Sequence, residues 1–170
     1  LESIRSRMGC FDDLVDLLQR ALVEEPPVTI KEGGIIREGY HAGLDELRLA
    51  SRDGKEWLAR LQEKERKRTG IDSLKIRFNN VFGYYIEVTK SHYDKVPPDY
   101  QRKQTLVNAE RFITPELKQM ENTILGADER SRQVEYEQFL LLREEVGRHI
   151  DDIQITADAM ADLDVLLGLA

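Results

Sequence analysis

The spacing of apolar residues predicts that the chain begins as a helix. Apolar side chains recur every three or four positions, at Ile4, Met8, Phe11, Val15, Leu18 and Leu22. This period places them on one face of an α-helix. Pro26 and Pro27 end the helix, because proline cannot continue the hydrogen-bond ladder. A connector from Val28 to Gly43 follows. We expect its apolar residues to hold it against the helices as an extended segment: Val28, Ile30, Ile35 and Ile36.

Two further helices are predicted on either side of the middle of the chain. One runs from about Leu44 to Arg68, with Gly70 in the position that favours glycine after a helix. The other begins at Thr114-Pro115-Glu116, a sequence that suits a helix N-terminus. It continues for about 55 residues, roughly 80 Å if unbroken. Two apolar stripes mark it: Leu117, Met120, Ile124, Ala127, Val134 and Leu141; then Phe139, Leu142, Val146, Ile150, Ile153, Ala157, Met160, Leu163 and Leu167.

Between these helices the period changes from helical to alternating. Leu74, Ile76 and Phe78 alternate with the basic residues Lys75 and Arg77. After a turn at Asn79–Gly83, Tyr84, Ile86 and Val88 alternate with Tyr85, Glu87 and Thr89. Alternation predicts half-buried β-strands. Two more short strands are predicted at Gln101–Val107 and Glu110–Ile113. Four such strands suffice for a small antiparallel sheet.

The predicted fold is therefore mainly α with a small antiparallel β insertion. Long antiparallel helices carry the four-stranded sheet at their tip, because a helix of this length must lie against other helices to bury its stripe. We divide the chain into helices and connector at residues 1–69, the β insertion at 70–115, and a returning helix at 116–170.

Charge is distributed unevenly along this organisation. The net charge is -7, so any nucleic-acid binding must be local. From Asp72 to Ile113, however, seven basic residues outnumber five acidic ones, which leaves the insertion at +2 and the rest of the chain at -9. The sign of the charge reverses where the pattern turns to β.

The residues offer no convincing catalytic or metal site. The histidines, His41, His92 and His149, show no metal-ligand spacing, and the sequence has no GxxxxGK[ST] phosphate loop. Cys10 is the only cysteine, which excludes an internal disulfide, and its apolar neighbours predict a buried thiol. No apolar run approaches the length of a membrane span, and no signal peptide is visible.

The segment Tyr100–Arg111 is the best functional candidate. It is rich in guanidinium, ammonium, amide and hydroxyl donors, which suit phosphate and sugar oxygens. Its composition fits equally well a polar edge strand that charge protects against aggregation. The basic cluster from Lys64 to Arg68 is interpreted first as a complement to the helix dipole, with phosphate contact as the alternative.

At these residues the sequence resembles the MutS family of DNA mismatch-repair ATPases. The resemblance is carried by FGYYIEVT and RKQTLVNAERFITPEL, and by EEPPVTIKEGGIIREGYHAGLDEL upstream. It covers the core and lever helices and the clamp inserted between them, without the family's mismatch-reading and ATPase domains. It implies that the clamp closes around duplex DNA and contacts its backbone without reading sequence, while the levers relay to the ATPase.

The resemblance also implies a set of DNA contacts and partners. Carried onto this sequence, the DNA-binding residues are Arg102, Lys103, Gln104, Thr105, Asn108 and Arg111, with Lys75 and Arg77 in addition. ATP and Mg²⁺ belong to the full-length family and not to this segment. The expected partners are duplex DNA, a second MutS subunit and a downstream repair protein, with no membrane. The expected location is the bacterial cytoplasm, in association with the nucleoid.

A charge of +2 offers few phosphate contacts, so we expect the isolated chain to bind duplex DNA weakly, with a Kd on the order of 10⁻⁴ M or weaker at physiological salt. The chain is expected to have no enzymatic activity of its own. The alternative is a structural helical interaction module, in which the β tip only caps the helices.

Overall fold

The computed structural model describes residues 2–169. Its helices are α1 (Glu2–Arg5), α2 (Asp12–Ala21), α3 (Ala42–Thr69), α4 (Pro115–Arg148) and α5 (Ile150–Gly168), with short 3₁₀ turns at Ile30–Glu32 and Lys90–Lys95. The strands are β1 (Lys75–Asn79), β2 (Gly83–Thr89), β3 (Gln101–Thr105) and β4 (Ala109–Ile113). The fold is thus mainly α with a four-stranded antiparallel insertion, which confirms the predicted class. Leu1 and Ala170, at the ends of the predicted division, lie outside the described residues.

The chain separates into two compact units. One comprises residues 43–131, and the other comprises residues 1–42 together with 132–170, so that the boundary falls inside α4. These units are defined by packing. The functional division at residues 70 and 115 remains a prediction.

In the unit of residues 43–131, α3 and the first half of α4 run antiparallel. Lys64 Nζ lies 3.8 Å from Glu116 Oε2 near one end of the pair. Farther along the pair, Ser51 Oγ donates to Asp128 Oδ1 at 2.5 Å. The helices approach closely between these contacts, because the backbone at Gly54 leaves room for no more than a hydrogen opposite Ile124.

The four strands pair in the order β1-β2-β4-β3, all antiparallel. One face of the sheet covers the ends of α3 and α4. The core formed there contains residues of α3, α4, β2 and β4 and of the segments that precede β1 and β3: Leu58, Leu61, Ile71, Leu74, Ile86, Val88, Tyr100, Phe112, Leu117 and Ile124. The sheet is therefore anchored through apolar burial, the main favourable term in folding.

The predicted helix boundaries around the sheet are confirmed. Gly70 follows α3 with φ +65°, and its N–H donates to Arg66 O at 2.9 Å. At the start of α4, Thr114 Oγ1 accepts from the backbone N–H of Leu117 at 3.2 Å. Both junctions use the capping chemistry that their residue types favour.

The first predicted helix is wrong in its continuity. The chain leaves the helix after Arg5 and re-enters it at Asp12. The backbone N–H of Gly9 donates to Thr156 Oγ1 at 2.9 Å, and Arg7 forms an ion pair with Asp162 at 2.5 Å. Contacts to α5 thus replace the helical hydrogen bonds that the apolar period predicted.

The connector is held at only part of its predicted length. Ile35 and Ile36 are buried, and their backbone N–H groups both donate to Glu135 Oε1, at 2.6 and 2.9 Å. Ile36 also bridges Leu22 in an antiparallel arrangement. Val28, by contrast, is fully exposed, because the segment around it has left the helices to make its turn.

The returning helix is broken, contrary to the prediction. α4 ends at Arg148, and His149 adopts φ −99° and ψ 2° before α5 begins. Leu141, Met160 and Leu167, which the pattern places on buried stripes, are each more than half exposed. Between residues 132 and 169 the buried side chains are Glu135, Leu142 and Ala159.

Candidate nucleic-acid interface

A row of polar side chains crosses the sheet on the face opposite the core. Lys75 of β1 pairs with Glu87 of β2, Glu87 pairs with Arg111 of β4, and Arg111 pairs with Gln104 of β3. Residues that lie directly opposite each other in an antiparallel sheet point to the same face. At about 4.8 Å between strands, the row spans roughly 14 Å. Arg77 lies on the same face, two residues along β1 from Lys75.

The side chains of this outer face contact one another. The Arg111 guanidinium lies over the Tyr85 ring, 4.4 Å from its centroid, and Nη1 donates to Gln104 Oε1 at 2.7 Å. Glu87 faces two arginines: its Oε1 lies 3.6 Å from Arg77 Nε and its Oε2 lies 3.7 Å from Arg111 Nε. The Arg111 side chain is 18% exposed and that of Arg77 is 50% exposed. Arg111 is therefore held in place, while Arg77 reaches into solvent.

The other predicted contact residues lie at the free edge of the sheet, on and beside β3. Arg102 pairs with Phe112, a core residue, so it extends from the inner face. Its guanidinium is exposed, and Nε lies 2.9 Å from the buried carboxylate of Glu110. Lys103 is the extra residue of a bulge between Arg102 and Gln104, and a bulge turns neighbouring side chains away from strict alternation.

Thr105 ends β3 and Asn108 lies in the turn that follows it; both are exposed. The backbone carbonyl of Asn108 accepts a hydrogen bond from the backbone N–H of Lys90 at 3.1 Å. This bond does not involve the Asn108 side chain.

The eight predicted residues thus form two groups. The outer-face group comprises Lys75, Arg77, Gln104 and Arg111. The edge group comprises Arg102, Lys103, Thr105 and Asn108. Each group combines cations with neutral hydrogen-bonding side chains.

Sequence reasoning missed the part played by Glu87 and Tyr85. Tyr85 is buried beneath Arg111, and Glu87 carries the negative charge at the centre of the outer face. A signal was present, since both residues alternate with the apolar positions of β2. Assigning their neighbours requires the register between strands, which alternation alone does not supply.

The basic cluster at the end of α3 is engaged in internal contacts. Arg66 Nε donates to Leu74 O at 2.8 Å. Arg68 contacts both oxygens of Asp99, at 3.2 and 3.1 Å, and Glu65 at 2.9 Å. The hydrogen bond from Arg68 holds the pKa of Asp99 below its usual value. These contacts give Arg66 and Arg68 a structural role at the junction of helix and sheet.

A buried hydrogen bond completes this junction. Tyr100 OH donates to Glu65 Oε2 at 2.8 Å, and burial, followed by this bond, raises the pKa of Tyr100. Phe112, like Tyr85, is buried.

The structure also bears on Cys10, on metal binding and on membrane-spanning helices. The prediction for Cys10 is wrong: the thiol is exposed and donates to Asp12 Oδ2 at 2.8 Å, because the break after α1 carries it away from the helix face. That hydrogen bond raises the pKa of Cys10. Within residues 2–169, no group of three or more His, Cys, Asp or Glu side chains could hold a metal ion. None of the helices in that range has the length and apolar character to cross a bilayer.

Comparison with known proteins gives consistent matches along the chain. A family model described as MutS family domain IV matches residues 39–130, a range that contains the whole sheet. The DNA mismatch repair protein MutS of Acetivibrio thermocellus is 55% identical over 165 residues, which are 97% of this chain and 19% of that relative. MutS of Natronomonas pharaonis is 55% identical over 170 residues, 100% of this chain and 20% of the relative. The chain spans about a fifth of the length of these curated relatives.

Proposed function

The chain belongs to the MutS family, and from that membership we propose that it is the lever-and-clamp part of a DNA mismatch-repair protein. The sheet of β1–β4 is the clamp, and α3 and α4 are the levers. The clamp contacts the backbone of duplex DNA without reading its sequence.

The observation that carries this proposal is the donor row on the sheet. Lys75, Arg111 and Gln104 come from three strands and project from one face, with Arg77 beside them. The core lies on the opposite face, so this row can meet a partner without disturbing the fold. Cations and amide donors are the groups that position a protein on phosphates and sugars.

The way in which the donors are held supports contact with the DNA backbone over contact with base edges. Reading bases requires an element that enters a groove and presents bidentate pairs to base edges. The Arg111 guanidinium instead lies over the Tyr85 ring, 4.4 Å from its centroid. The edge group adds donors along β3, where Arg102 and Lys103 are exposed.

The levers are proposed to relay between the clamp and an ATPase domain elsewhere in the full-length protein. α3 and α4 enter and leave the sheet directly at Gly70 and Thr114, so movement of the helix pair moves the sheet. The residues of this chain do not fit ATP or Mg²⁺, because the sequence has no phosphate loop and the described part has no metal-binding group. We therefore assign no catalytic step to this chain.

The partners of the full-length protein follow from the same proposal. They are duplex DNA, a second MutS subunit and a downstream repair protein, at the nucleoid in the cytoplasm. Because one clamp offers few phosphate contacts, firm binding requires two clamps held by a dimer.

Fluorescence anisotropy with a labelled homoduplex tests the proposal at 50 and 200 mM salt. The wild-type chain should bind with a Kd on the order of 10⁻⁴ M at physiological salt and more tightly at 50 mM. Arg102→Ala and Lys103→Ala should each weaken binding to every sequence alike and lower the salt slope by roughly one. The charge reversal Arg102→Glu/Lys103→Glu should weaken it further. Submicromolar binding by the monomeric chain, or a loss of sequence preference in the variants, would contradict backbone contact.

The alternative function is a structural module whose sheet only caps the helices. The core beneath the sheet favours it, since that core closes the ends of α3 and α4. The two functions differ in the same titration: an endcap binds no DNA at either salt concentration, and its charge reversal changes nothing.

A further inference from the structure

Glu87 is the one acidic side chain in the row that crosses the outer face. It lies between Lys75 and Arg111 in the cross-strand pairing, and Arg77 approaches its other oxygen. Its side chain is only 20% exposed, so it is largely shielded from solvent beside the two arginines.

These contacts are poorly suited to a purely structural bridge. The Nε–oxygen distances of 3.6 and 3.7 Å are beyond hydrogen-bond range, so the attraction between these groups is that of unlike charges and not of a directed bond. The buried Arg111 Nε has no hydrogen-bond partner among the described residues. The apolar core that anchors the sheet lies on its other face. Glu87 therefore neutralises two guanidinium groups without using up their donors.

A carboxylate at this place opposes the binding of phosphate. With Glu87 the outer face carries three cations and one anion, and without it the same face would carry three cations alone. We propose that Glu87 is an internal counter-ion, which competes with DNA phosphates for Arg77 and Arg111 and so limits how tightly the clamp holds DNA. This role rests on the proposed function of the same face. When DNA binds, a phosphate takes the place of the Glu87 carboxylate beside Arg77 and Arg111, and the contact with DNA remains reversible.

The size of the effect follows from counter-ion release. Each additional phosphate neutralised on duplex DNA steepens the salt dependence by about 0.9 in the logarithmic slope. Between 50 and 200 mM salt, a slope change of that size amounts to about a 3- to 4-fold difference in affinity. The gain in affinity from Glu87→Gln should therefore be about 3- to 4-fold larger at 50 mM than at 200 mM.

The test compares Glu87→Gln with two control variants of the same chain, in the duplex titration at both salt concentrations. Asp94→Asn makes the same change in net charge at an exposed residue that lies outside the strands and makes no cross-strand pair with the row. Glu87→Asp keeps the charge. We expect Glu87→Gln to bind more tightly and with a steeper slope, Asp94→Asn to change little, and Glu87→Asp to show no gain.

A double-mutant cycle separates competition from a general change in charge. In an Arg77→Gln background the gain from Glu87→Gln should shrink, because one of the two guanidinium groups it would release is gone. Circular dichroism confirms that each variant is folded.

Three results would overturn the inference while leaving the proposed function in place. The gain from Glu87→Gln could equal that from Asp94→Asn, or it could be unchanged in the Arg77→Gln background. Glu87→Gln could also bind more weakly than the wild type, as expected if Glu87 only orients the arginines. Absence of salt-dependent binding by the wild type would instead refute the proposed function itself.

Discussion

Replacing Gly83 by alanine should destabilise the unit that contains the sheet far more than a usual turn substitution. Gly83 begins β2 with φ +77°, in the left-handed region, where a side chain costs about 1–2 kcal/mol. An added Cβ would also meet the Glu121 carboxylate closer than real Cβ atoms come to any atom.

Glu121 cannot move aside without loss. Its side chain is buried, Oε2 accepts from the backbone N–H of Tyr84 at 2.6 Å, and Oε1 contacts Lys118 Nζ. Displacing the carboxylate breaks a charge-assisted hydrogen bond, worth about 1.5–3 kcal/mol. Together with the backbone term, the expected loss is about 3–5 kcal/mol in the free energy of unfolding.

Urea denaturation followed by the fluorescence of Trp57 measures this loss. Trp57 is the only tryptophan and packs against the core beneath the sheet. In a thermal melt, the same loss corresponds to roughly a 10 °C decrease in Tm for a chain of this size.

Gly70→Ala is the matched control. Gly70 also has a positive φ, +65°, but a Cβ there would meet nothing within 4 Å, so only the backbone cost of about 1–2 kcal/mol should appear. Glu121→Ala supplies a second check, because in that background Gly83→Ala should cost no more than Gly70→Ala. Equal losses for Gly83→Ala and Gly70→Ala in the wild-type background would refute the argument from Glu121.

The remaining predictions concern other contacts, and each is checked by urea denaturation. Gly54→Ala should destabilise the protein because its Cβ would collide with Ile124 of the facing helix. Gly126→Ala, in open space on α4, should instead stabilise it by about 1 kcal/mol through helix propensity. Stabilisation by both substitutions would contradict the close approach of the helices. Glu135→Ala should cost about 2–4 kcal/mol, because two buried backbone N–H groups lose their acceptor, while the exposed Glu137→Ala should cost little. The pKa of Asp99 is lowered in the folded state, so its contribution is present above the unfolded value of about 4 and is lost as the pH falls through the folded value. The Arg68–Asp99 ion pair is exposed, so Asp99→Asn should lower the free energy of unfolding by less than about 1 kcal/mol at pH 7 and by nothing in strong acid. A loss of stability that grows on acidification would contradict the predicted direction of the pH dependence.

Local chemistry explains which parts of the fold the sequence could predict. The alternation of Ile76 and Ile86 with polar neighbours identified the strands, and Gly70 and Thr114 marked the helix boundaries. Each of these features depends on residues a few positions apart, so it can be predicted from the amino-acid sequence. Interruptions that depend on partners far along the chain, such as the break at Gly9, were not predicted.

The candidate contact residues illustrate the same limit within the site. Arg102 and Gln104 are two positions apart, which in an unbroken strand places them on the same face. The bulge at Lys103 instead puts Gln104 on the outer face and Arg102 opposite the core residue Phe112. The chemistry of this segment was recognisable from its donors, but its division into two surfaces was not.

Residue type and short-range period are enough to predict the helical arms, the four alternating strands and the reversal of charge between them. The position of Glu87 between Arg77 and Arg111 follows only from the fold. That arrangement depends on the register of three strands, one of which lies more than twenty residues further along the chain. Register is set by the burial of the opposite face against α3 and α4, a property of the whole unit.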